Sequence, residues 1–305
     1  MKLVSEFPGG NSEISKAEIS GLLRSYGGKI LGENKRLIFF STDRPDEVAR
    51  RVAFSKRIGR IIENERIELP QSATYSIREE KGNGKPSLIE EVAKKIRGRV
   101  NLDNPDFLFH IYNFEEPIIA QVIHERKMKE LIDPRYYSRP FNHPSSISPM
   151  IARGMLNIAG VRESERFVDP FAGTGTYLIE GYRMGIIGFG IDRNPKMVEG
   201  GNRNLRHFGF PPNIVQGDFA DLTSIDDLSA IVTDPPYGRG SKIFSQSRET
   251  LYQRLFSLIS RAKVPAVFCI PSISLLDTAS EYIDLKVVAS IRVHSSLTRY
   301  IAISK

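Results

Sequence analysis

The sequence lacks the residues and runs on which several classes of protein depend. Its one cysteine, Cys269, excludes an internal disulfide, and the apolar neighbours of this cysteine indicate a core position rather than a nucleophile. The five histidines show no close pairing, so we expect no metal site. No apolar run approaches the roughly 18 residues that predict a transmembrane helix, so we expect no membrane partner either.

The scarcity of cysteine and of apolar runs also predicts the cellular compartment of the protein. Residues 1–6 contain no long apolar stretch of the kind that directs secretion, and a single cysteine suits a reducing compartment. We therefore expect a cytoplasmic protein. The sequence carries no clear signal for oligomerisation, and a monomer is the simplest expectation.

The most informative residues form the tetrapeptide Asp234-Pro235-Pro236-Tyr237. The apolar run before it predicts a buried strand, so the tetrapeptide should lie at the carboxyl edge of a sheet, where open α/β sheets bind ligands. Two prolines remove two backbone donors and leave a rigid loop. Asp234 and the Pro235 carbonyl can accept both hydrogens of an NH2 group on a planar ring, while Tyr237 stacks on that ring. An ordinary Asp-Pro-Pro turn is the alternative.

A glycine-rich turn follows an earlier predicted strand. It begins at Asp169 and continues through Phe171, Ala172, Gly173, Thr174, Gly175 and Thr176 into a predicted helix. Glycines let the backbone approach a ligand closely, and the first N–H groups of a helix point into the same space. The turn is not a P-loop, because no Lys-Ser or Lys-Thr pair follows it, and it lacks the third glycine of the dinucleotide fingerprint.

Acidic residues end successive predicted strands. Asp192 lies 23 positions after Asp169, a spacing at which a carboxylate can hold a ribose hydroxyl, and Asp218 ends a third short strand. Each alone is an ordinary solvated strand end. Three in order, followed by Asp234, predict a cofactor site along one edge of a sheet.

These motifs resemble those of S-adenosylmethionine-dependent methyltransferases that act on exocyclic amino groups of bases, which carry D-P-F-x-G-T-G and D-P-P-Y. The resemblance implies S-adenosyl-L-methionine as the cofactor, with Asp192 at its ribose, Asp218 at the adenine amino group and Phe219 beside the adenine. The residues assigned to the cofactor are Ser148, Asp169, Phe171, Ala172, Gly173, Thr174, Gly175, Thr176, Asp192, Arg193, Asp218 and Phe219. The catalytic residues would be Asp234, Pro235, Pro236 and Tyr237.

The segment from His143 to Ser148 precedes a predicted helix at residues 150–158. In the family resembled, this helix entry lies over the carboxylate end of the cofactor. A plain prolyl helix start is the alternative.

From about residue 141 onward, strands alternate with helices, which predicts a doubly wound parallel sheet. The predicted strands are 166–169, 186–191, 213–216, 229–233 and 264–269, and an antiparallel hairpin is expected over 282–292 and 297–304. The fold class expected is therefore α/β: a class I Rossmann-like methyltransferase sheet with a terminal hairpin, preceded by an α+β ferredoxin-like region.

The amino-terminal part resembles the THUMP module of tRNA-modifying enzymes, most recognisably at residues 101–106. We expect strands at 2–7, 35–41, 73–78, 107–113 and 118–124, and helices at 15–26, 45–58 and 88–96. Ser15 followed by Glu18 predicts a capping-box helix start. The expected domains are a small α/β domain (1–45), a THUMP-like RNA-binding domain (46–130), a linker (131–140) and a Rossmann-fold methyltransferase domain (141–305).

The net charge of +7 is unevenly distributed, since residues 51–100 hold 12 Lys and Arg against 7 Asp and Glu. Such runs often form ordinary solvated faces, but beside a base-modifying site they predict phosphate contacts. The clustered cations are Arg50, Arg51, Lys56, Arg57 and Arg60, and then Lys94, Lys95, Arg97 and Arg99.

Over its whole length the chain resembles archaeal-type tRNA guanosine N2-methyltransferases that modify position 10. The extension 234–239 and the stretch 294–299 carry this resemblance, and Gly240 departs from it where a serine is expected. It implies that one or two methyl groups are added to a flipped-out guanosine of tRNA. A DNA adenine-N6 or cytosine-N4 methyltransferase and a non-catalytic RNA-binding protein are the alternatives.

Overall fold

The computed structural model describes residues 1–8, 12–34, 36–63, 66–80, 87–127, 131–222, 227–237, 247–294 and 297–304. The chain forms two compact units, each assembled from three stretches. Unit 1 comprises Met1–Ser12, Tyr26–Arg50 and Ser55–Arg126, and unit 2 comprises Glu13–Ser25, Arg51–Phe54 and Lys127–Lys305.

Strands and helices are numbered in chain order. The strands are β1 (Lys2–Glu6), β2 (Lys29–Glu33), β3 (Leu37–Ser41), β4 (Arg57–Ile61), β5 (Ile67–Glu68), β6 (Thr74–Glu79), β7 (Ile96–Arg97), β8 (Arg99–Val100), β9 (Phe107–Tyr112), β10 (Ile118–Glu125), β11 (Arg166–Asp169), β12 (Ile187–Asp192), β13 (Ile214–Gln216), β14 (Leu228–Thr233), β15 (Ala266–Ile270), β16 (Leu285–His294) and β17 (Leu297–Ser304). The helices are α1 (Ser12–Tyr26), α2 (Pro45–Arg51), α3 (Ile89–Lys95), α4 (Pro149–Ala159), α5 (Thr176–Arg183), α6 (Pro195–His207), α7 (Arg248–Ala262) and α8 (Leu275–Ser280). Within the described ranges, every helix is too short or too polar to span a bilayer.

Unit 1 contains an eight-stranded mixed sheet in the order β2-β3-β1-β4-β10-β9-β6-β8. The pairs from β2 to β9 are antiparallel, and β6 runs parallel to both β9 and β8. This mixed sheet agrees with the α+β region expected ahead of the parallel sheet. Strands β2 and β4 were not predicted, and the helix expected over 45–58 ends at Arg51, before β4 begins.

Two cations that we expected to contact phosphates are buried instead. In unit 1, Arg57 donates to Glu6 at 2.5 Å and to Glu125 at 2.6 Å. In unit 2, Arg51 donates through Nη2 to the Val161 carbonyl at 2.9 Å. The expectation was wrong for these two residues, because a buried charge must be paired within the protein and is then withdrawn from solvent.

Unit 2 contains a seven-stranded sheet in the order β13-β12-β11-β14-β15-β17-β16. The first five of these strands run parallel, and β17 is antiparallel to both β15 and β16. The predicted doubly wound sheet with a terminal hairpin is therefore confirmed. Because parallel strands end on the same side, the loops after β11, β12, β13 and β14 open along one edge.

Helix α1 contributes buried residues to unit 2. The predicted start at Ser15 was wrong, because the helix begins three residues earlier, and Ser15 and Glu18 lie buried inside it. The Glu18 carboxylate accepts hydrogen bonds from the backbone N–H groups of residues 53–54 at 2.7 and 2.9 Å and from Asn157 Nδ2 at 2.8 Å. It therefore joins three parts of the sequence rather than capping its own helix.

Asn157, on α4, is the centre of this junction. Its Nδ2 also donates to the Arg51 carbonyl at 2.8 Å, and its Oδ1 accepts from Arg51 Nε at 3.1 Å. A Cβ added at Gly21 would lie 2.1 Å from the Asn157 carbonyl oxygen, so α1 and α4 touch backbone to backbone. The boundaries expected from sequence, 1–45, 46–130 and 141–305, stay predictions.

We predict that Glu18→Ala destabilises unit 2 by on the order of 3–5 kcal/mol, because three buried donors lose their acceptor. Urea unfolding followed by circular dichroism measures this change. Glu13→Ala is the matched control: Glu13 lies in the first turn of the same helix and is exposed, so its loss should cost less than about 1 kcal/mol. Equal losses for the two variants would contradict the structural role of Glu18.

Candidate active site

Four aspartates lie along the carboxyl edge of the unit 2 sheet. Asp169 and Asp192 are the last residues of β11 and β12, Asp218 follows β13, and Asp234 follows β14. The sheet order β13-β12-β11-β14 puts these strand ends side by side. The edge therefore gathers the acidic groups that the sequence predicted for the cofactor and the substrate.

Asp169 is the most buried of the four, with 1% of its surface exposed. Its Oδ1 accepts hydrogen bonds from Phe171 N at 3.1 Å and from Thr233 Oγ1 at 2.6 Å. Its Oδ2 is buried and has no hydrogen-bond partner among the described residues. Burial raises the pKa of Asp169 to about 7, with a further contribution from the negative charges of Asp192 and Asp234. Oδ2 is thus the one carboxylate oxygen of Asp169 that no described residue contacts.

The glycine turn after β11 is held by Asp192. Its Oδ2 accepts from Gly173 N at 2.9 Å, and its Oδ1 accepts from Asn194 N at 2.9 Å. Gly173 and Gly175 have φ of 50° and 79°, in the left-handed region that favours glycine. Burial raises the pKa of Asp192. One carboxylate therefore fixes the turn while its remaining lone pairs stay available to a ligand.

The segment before α4 contacts the same turn. Thr174 donates through Oγ1 to Ser146 Oγ at 3.1 Å, and the Thr176 hydroxyl lies 3.3 Å from that of Thr174. Ser148 caps α4 by accepting from Ile151 N at 3.3 Å. Ser148 therefore starts the helix, and its contact with the cofactor stays a prediction. Ser146, to which the sequence analysis gave no role, contacts the turn directly.

Asp218 is held by Arg254, which donates through Nη2 to Oδ2 at 2.8 Å, and it also lies 3.8 Å from Arg193 Nε. The neighbouring Phe219 ring is 1% exposed, its centroid 4.7 Å from that of Phe171 and 5.3 Å from the Arg254 guanidinium. Contact between Phe219 and an adenine would require Phe171 or Arg254 to move, so that role stays a prediction.

The tetrapeptide begins where β14 ends, and its first and last residues meet. The Tyr237 hydroxyl donates to Asp234 Oδ1. Arg299, on β17, lies with Nη2 3.1 Å from Asp234 Oδ2 and donates through Nε to the Tyr237 hydroxyl at 3.2 Å. Burial raises the pKa of Asp234, and the Arg299 charge opposes that rise. The three side chains form a closed ring of polar contacts.

Arg299 lies in the stretch 294–299 that carried the family resemblance, but the sequence gave it no role. The sequence offered one indication: a single arginine within a strand of alternating residues. In the structure Arg299 is buried, and its neighbours Thr298 and Tyr300 are half-buried. Residues 238–240, which extend the tetrapeptide, and residues 295–296 lie outside the described residues. Within the described part of the chain, no cluster of three or more His, Cys, Asp or Glu is arranged to hold a metal ion.

The sequence is similar to a known protein family and to several named proteins. Residues 135–301 match the family described as RMKL-like, methyltransferase domain. A protein of Methanothermobacter thermautotrophicus named tRNA (guanine(10)-N2)-dimethyltransferase is 38% identical over 174 residues, which cover 55% of this chain and 52% of that protein. The chain thus matches about half the length of that relative.

Two further relatives align over more of their length. A protein of Pyrococcus abyssi with the same name is 35% identical over 244 residues, covering 74% of this chain and 72% of that protein. A protein of Methanocaldococcus jannaschii named tRNA (guanine(6)-N2)-methyltransferase is 26% identical over 329 aligned positions, covering 81% and 84% of the two chains.

The buried Asp169 carboxyl predicts a pH-dependent stability. Its pKa is about 7 in the folded protein and about 3.9 in an unfolded chain, so the folded state holds the proton more tightly. The stabilisation is therefore complete below about pH 4 and lost as pH rises to about 7, and it amounts to about 4 kcal/mol at most. Urea unfolding at several pH values gives the free energy of unfolding of the wild-type chain and of Asp169→Asn. The difference between these two free energies should fall as pH rises. A difference that stays constant with pH would contradict the assigned titration.

Proposed function

Because the chain belongs to the RMKL-like methyltransferase domain family, we propose that it transfers one or two methyl groups from S-adenosyl-L-methionine to the exocyclic N2 of a guanosine in tRNA, at position 10. The observation that carries this proposal is the placement of Asp234 and Tyr237 at the end of β14, beside the glycine turn. The relatives named for guanine 10 of tRNA, 38% and 35% identical to this chain, support tRNA as the partner.

The residues of the sheet edge fit the proposed cofactor. The buried Asp169 Oδ2, without a partner among the described residues, suits the ammonium group of the methionine part. Asp192 would accept from the ribose hydroxyls, and Asp218 from the adenine amino group. When bound, S-adenosyl-L-methionine supplies a methyl group on a sulfonium, which is reactive enough that the protein needs no covalent intermediate.

The protein's own task is to orient the guanine and to make the lone pair of N2 available. Asp234 and the Pro235 carbonyl would accept the two hydrogens of the amino group, which favours a pyramidal nitrogen over one conjugated with the ring. Tyr237 would stack on the base. The cofactor would supply its methyl group to the N2 lone pair, and Asp234 or water would take the N2 proton.

The base must leave its stack to reach this edge. Flipping a base costs a few kcal/mol, and phosphate contacts can offset that amount. Of the cations expected to bind phosphates, Lys94, Arg97 and Arg99 in unit 1 are exposed. The two other interpretations of the sequence, a DNA amino-methyltransferase and a non-catalytic RNA-binding protein, are not favoured by relatives whose names describe tRNA guanine methyltransferases.

The test is to incubate the protein with bulk tRNA and labelled S-adenosyl-L-methionine and to map the modified nucleotide. We expect N2-methylguanosine or N2,N2-dimethylguanosine at position 10. Label at position 6 would replace the proposed position, and label in duplex DNA but not in tRNA would reject the proposed substrate.

Two matched aspartate substitutions separate chemistry from cofactor binding. Asp234→Asn should lower kcat by about 10²–10⁴ and leave the Kd for S-adenosylhomocysteine nearly unchanged, since its carboxylate faces the target amine. Asp192→Asn should weaken S-adenosylhomocysteine binding by roughly 1–3 kcal/mol, because a charge-assisted hydrogen bond is lost. Calorimetry and single-turnover kinetics give both values. Near-normal turnover by Asp234→Asn, or unchanged binding by Asp192→Asn, would remove the corresponding role.

A further inference from the structure

Both oxygens of the Asp234 carboxylate are engaged, and by different kinds of partner. Oδ1 accepts from the Tyr237 hydroxyl, three residues along the same loop. Oδ2 is paired with the Arg299 guanidinium at 3.1 Å, which comes from β17. Each oxygen keeps a second lone pair, so an amino group can bind Asp234 beside one of these partners or in its place.

The two partners differ in how firmly they are held. Arg299 belongs to β17, which is hydrogen-bonded between β15 and β16, where it pairs with Ile291. Its side chain is 9% exposed, and that of Asp234 is 11% exposed. Tyr237, in contrast, is half-buried on the loop that follows β14. If Tyr237 turns to stack on a base, its hydroxyl is the contact that can leave Oδ1, whereas nothing in the proposed reaction displaces Arg299.

We propose that Arg299 is a positioning residue of methyl transfer: it holds Asp234 through Oδ2, so that Oδ1 passes from the Tyr237 hydroxyl to the amino group of the base. This assignment rests on the proposed function of the site. It gives the two carboxylate oxygens separate tasks, one structural and one directed at the substrate. Arg299 also contacts the Tyr237 hydroxyl through Nε at 3.2 Å, so the same guanidinium sets the resting position of the ring.

Charge supports the same assignment. An isolated carboxylate at this depth would favour its protonated form, which accepts a hydrogen bond from an amine less strongly than the anion does. Among the described residues, the titratable and charged groups facing Asp234 are Arg299, Tyr237, Cys269, Tyr177, Tyr252 and Asp169. Arg299 is the cation among them, and its charge lowers the pKa of the Asp234 carboxyl against the rise that burial causes.

The experiment compares Arg299→Met, Arg299→Lys and Tyr237→Phe with a control, Arg292→Met. Arg292 lies on β16 of the same hairpin, opposite Thr298, and is exposed. For each variant we would measure kcat and KM for tRNA against pH and the Kd for S-adenosylhomocysteine. We expect an unchanged Kd, and a Kd that weakens in step with kcat would overturn the positioning role in favour of a general structural one.

We expect Arg299→Met to lower kcat at neutral pH and to move the acidic limb of the pH profile upward by about 1–3 units, because an adjacent cation lowers a carboxyl pKa by that amount. Arg299→Lys should return the limb most of the way, since it keeps the charge, and it serves as the test variant if Arg299→Met does not fold. Tyr237→Phe removes only a neutral donor from Oδ1, so its limb should move less than that of Arg299→Met, and the control Arg292→Met should keep the wild-type kcat and pH profile. If Arg299→Met has the kcat and pH profile of the wild type, the proposal is overturned.

A thermodynamic cycle separates this proposal from the proposed function. Unfolding free energies of Asp234→Asn, Arg299→Met and the double variant need no methyl acceptor, and the double variant should lose less stability than the two single losses combined. Additive losses would overturn the pairing. If the wild-type chain methylates amino groups of another nucleic acid instead of tRNA, the proposed substrate fails, and the same kinetic comparison on that acceptor still decides the role of Arg299.

Discussion

A carboxylate that leaves water needs hydrogen bonds or a cation in its place, and this requirement organises the second unit. Glu18 receives three donors from two other parts of the chain. Asp192 receives two backbone N–H groups, and Asp234 receives a tyrosine hydroxyl and an arginine. Asp169 is the exception, with one oxygen satisfied and the other without a partner among the described residues. The second unit thus holds most of its buried carboxylates by hydrogen bonds or a cation.

The parallel sheet of the second unit was predictable from sequence because its signals are local. Apolar runs ending at Asp169, Asp192 and Asp234 predicted β11, β12 and β14 with bounds that differ from the observed ones by at most one residue. A buried parallel strand is apolar on both faces, so its pattern does not depend on its neighbours. Once these strands are located, the positions of the motifs at their carboxyl ends are known as well.

What the sequence did not reveal depends on partners far along the chain. Glu18 looked like a capping residue because Ser15 lies three positions before it, yet its partner Asn157 is 139 residues away. Arg51 and Arg57 looked like surface cations, and nothing local indicates that each is buried against a distant carbonyl or carboxylate. Arg299 meets Asp234 only because the last strand returns beside β15. Local composition carries no information on such pairings.

The stretches 13–25 and 51–54 pack within the second unit although strands of the first unit surround them in sequence. A genetic crossover anywhere between residues 55 and 126 would therefore give the sheet of one parent a helix α1 inherited from the other. Gly21 and Asn157, whose backbones touch, would then come from different lineages and would have to match by chance. Exchange of this unit between proteins, in evolution or by design, is thus constrained to include its amino-terminal helix.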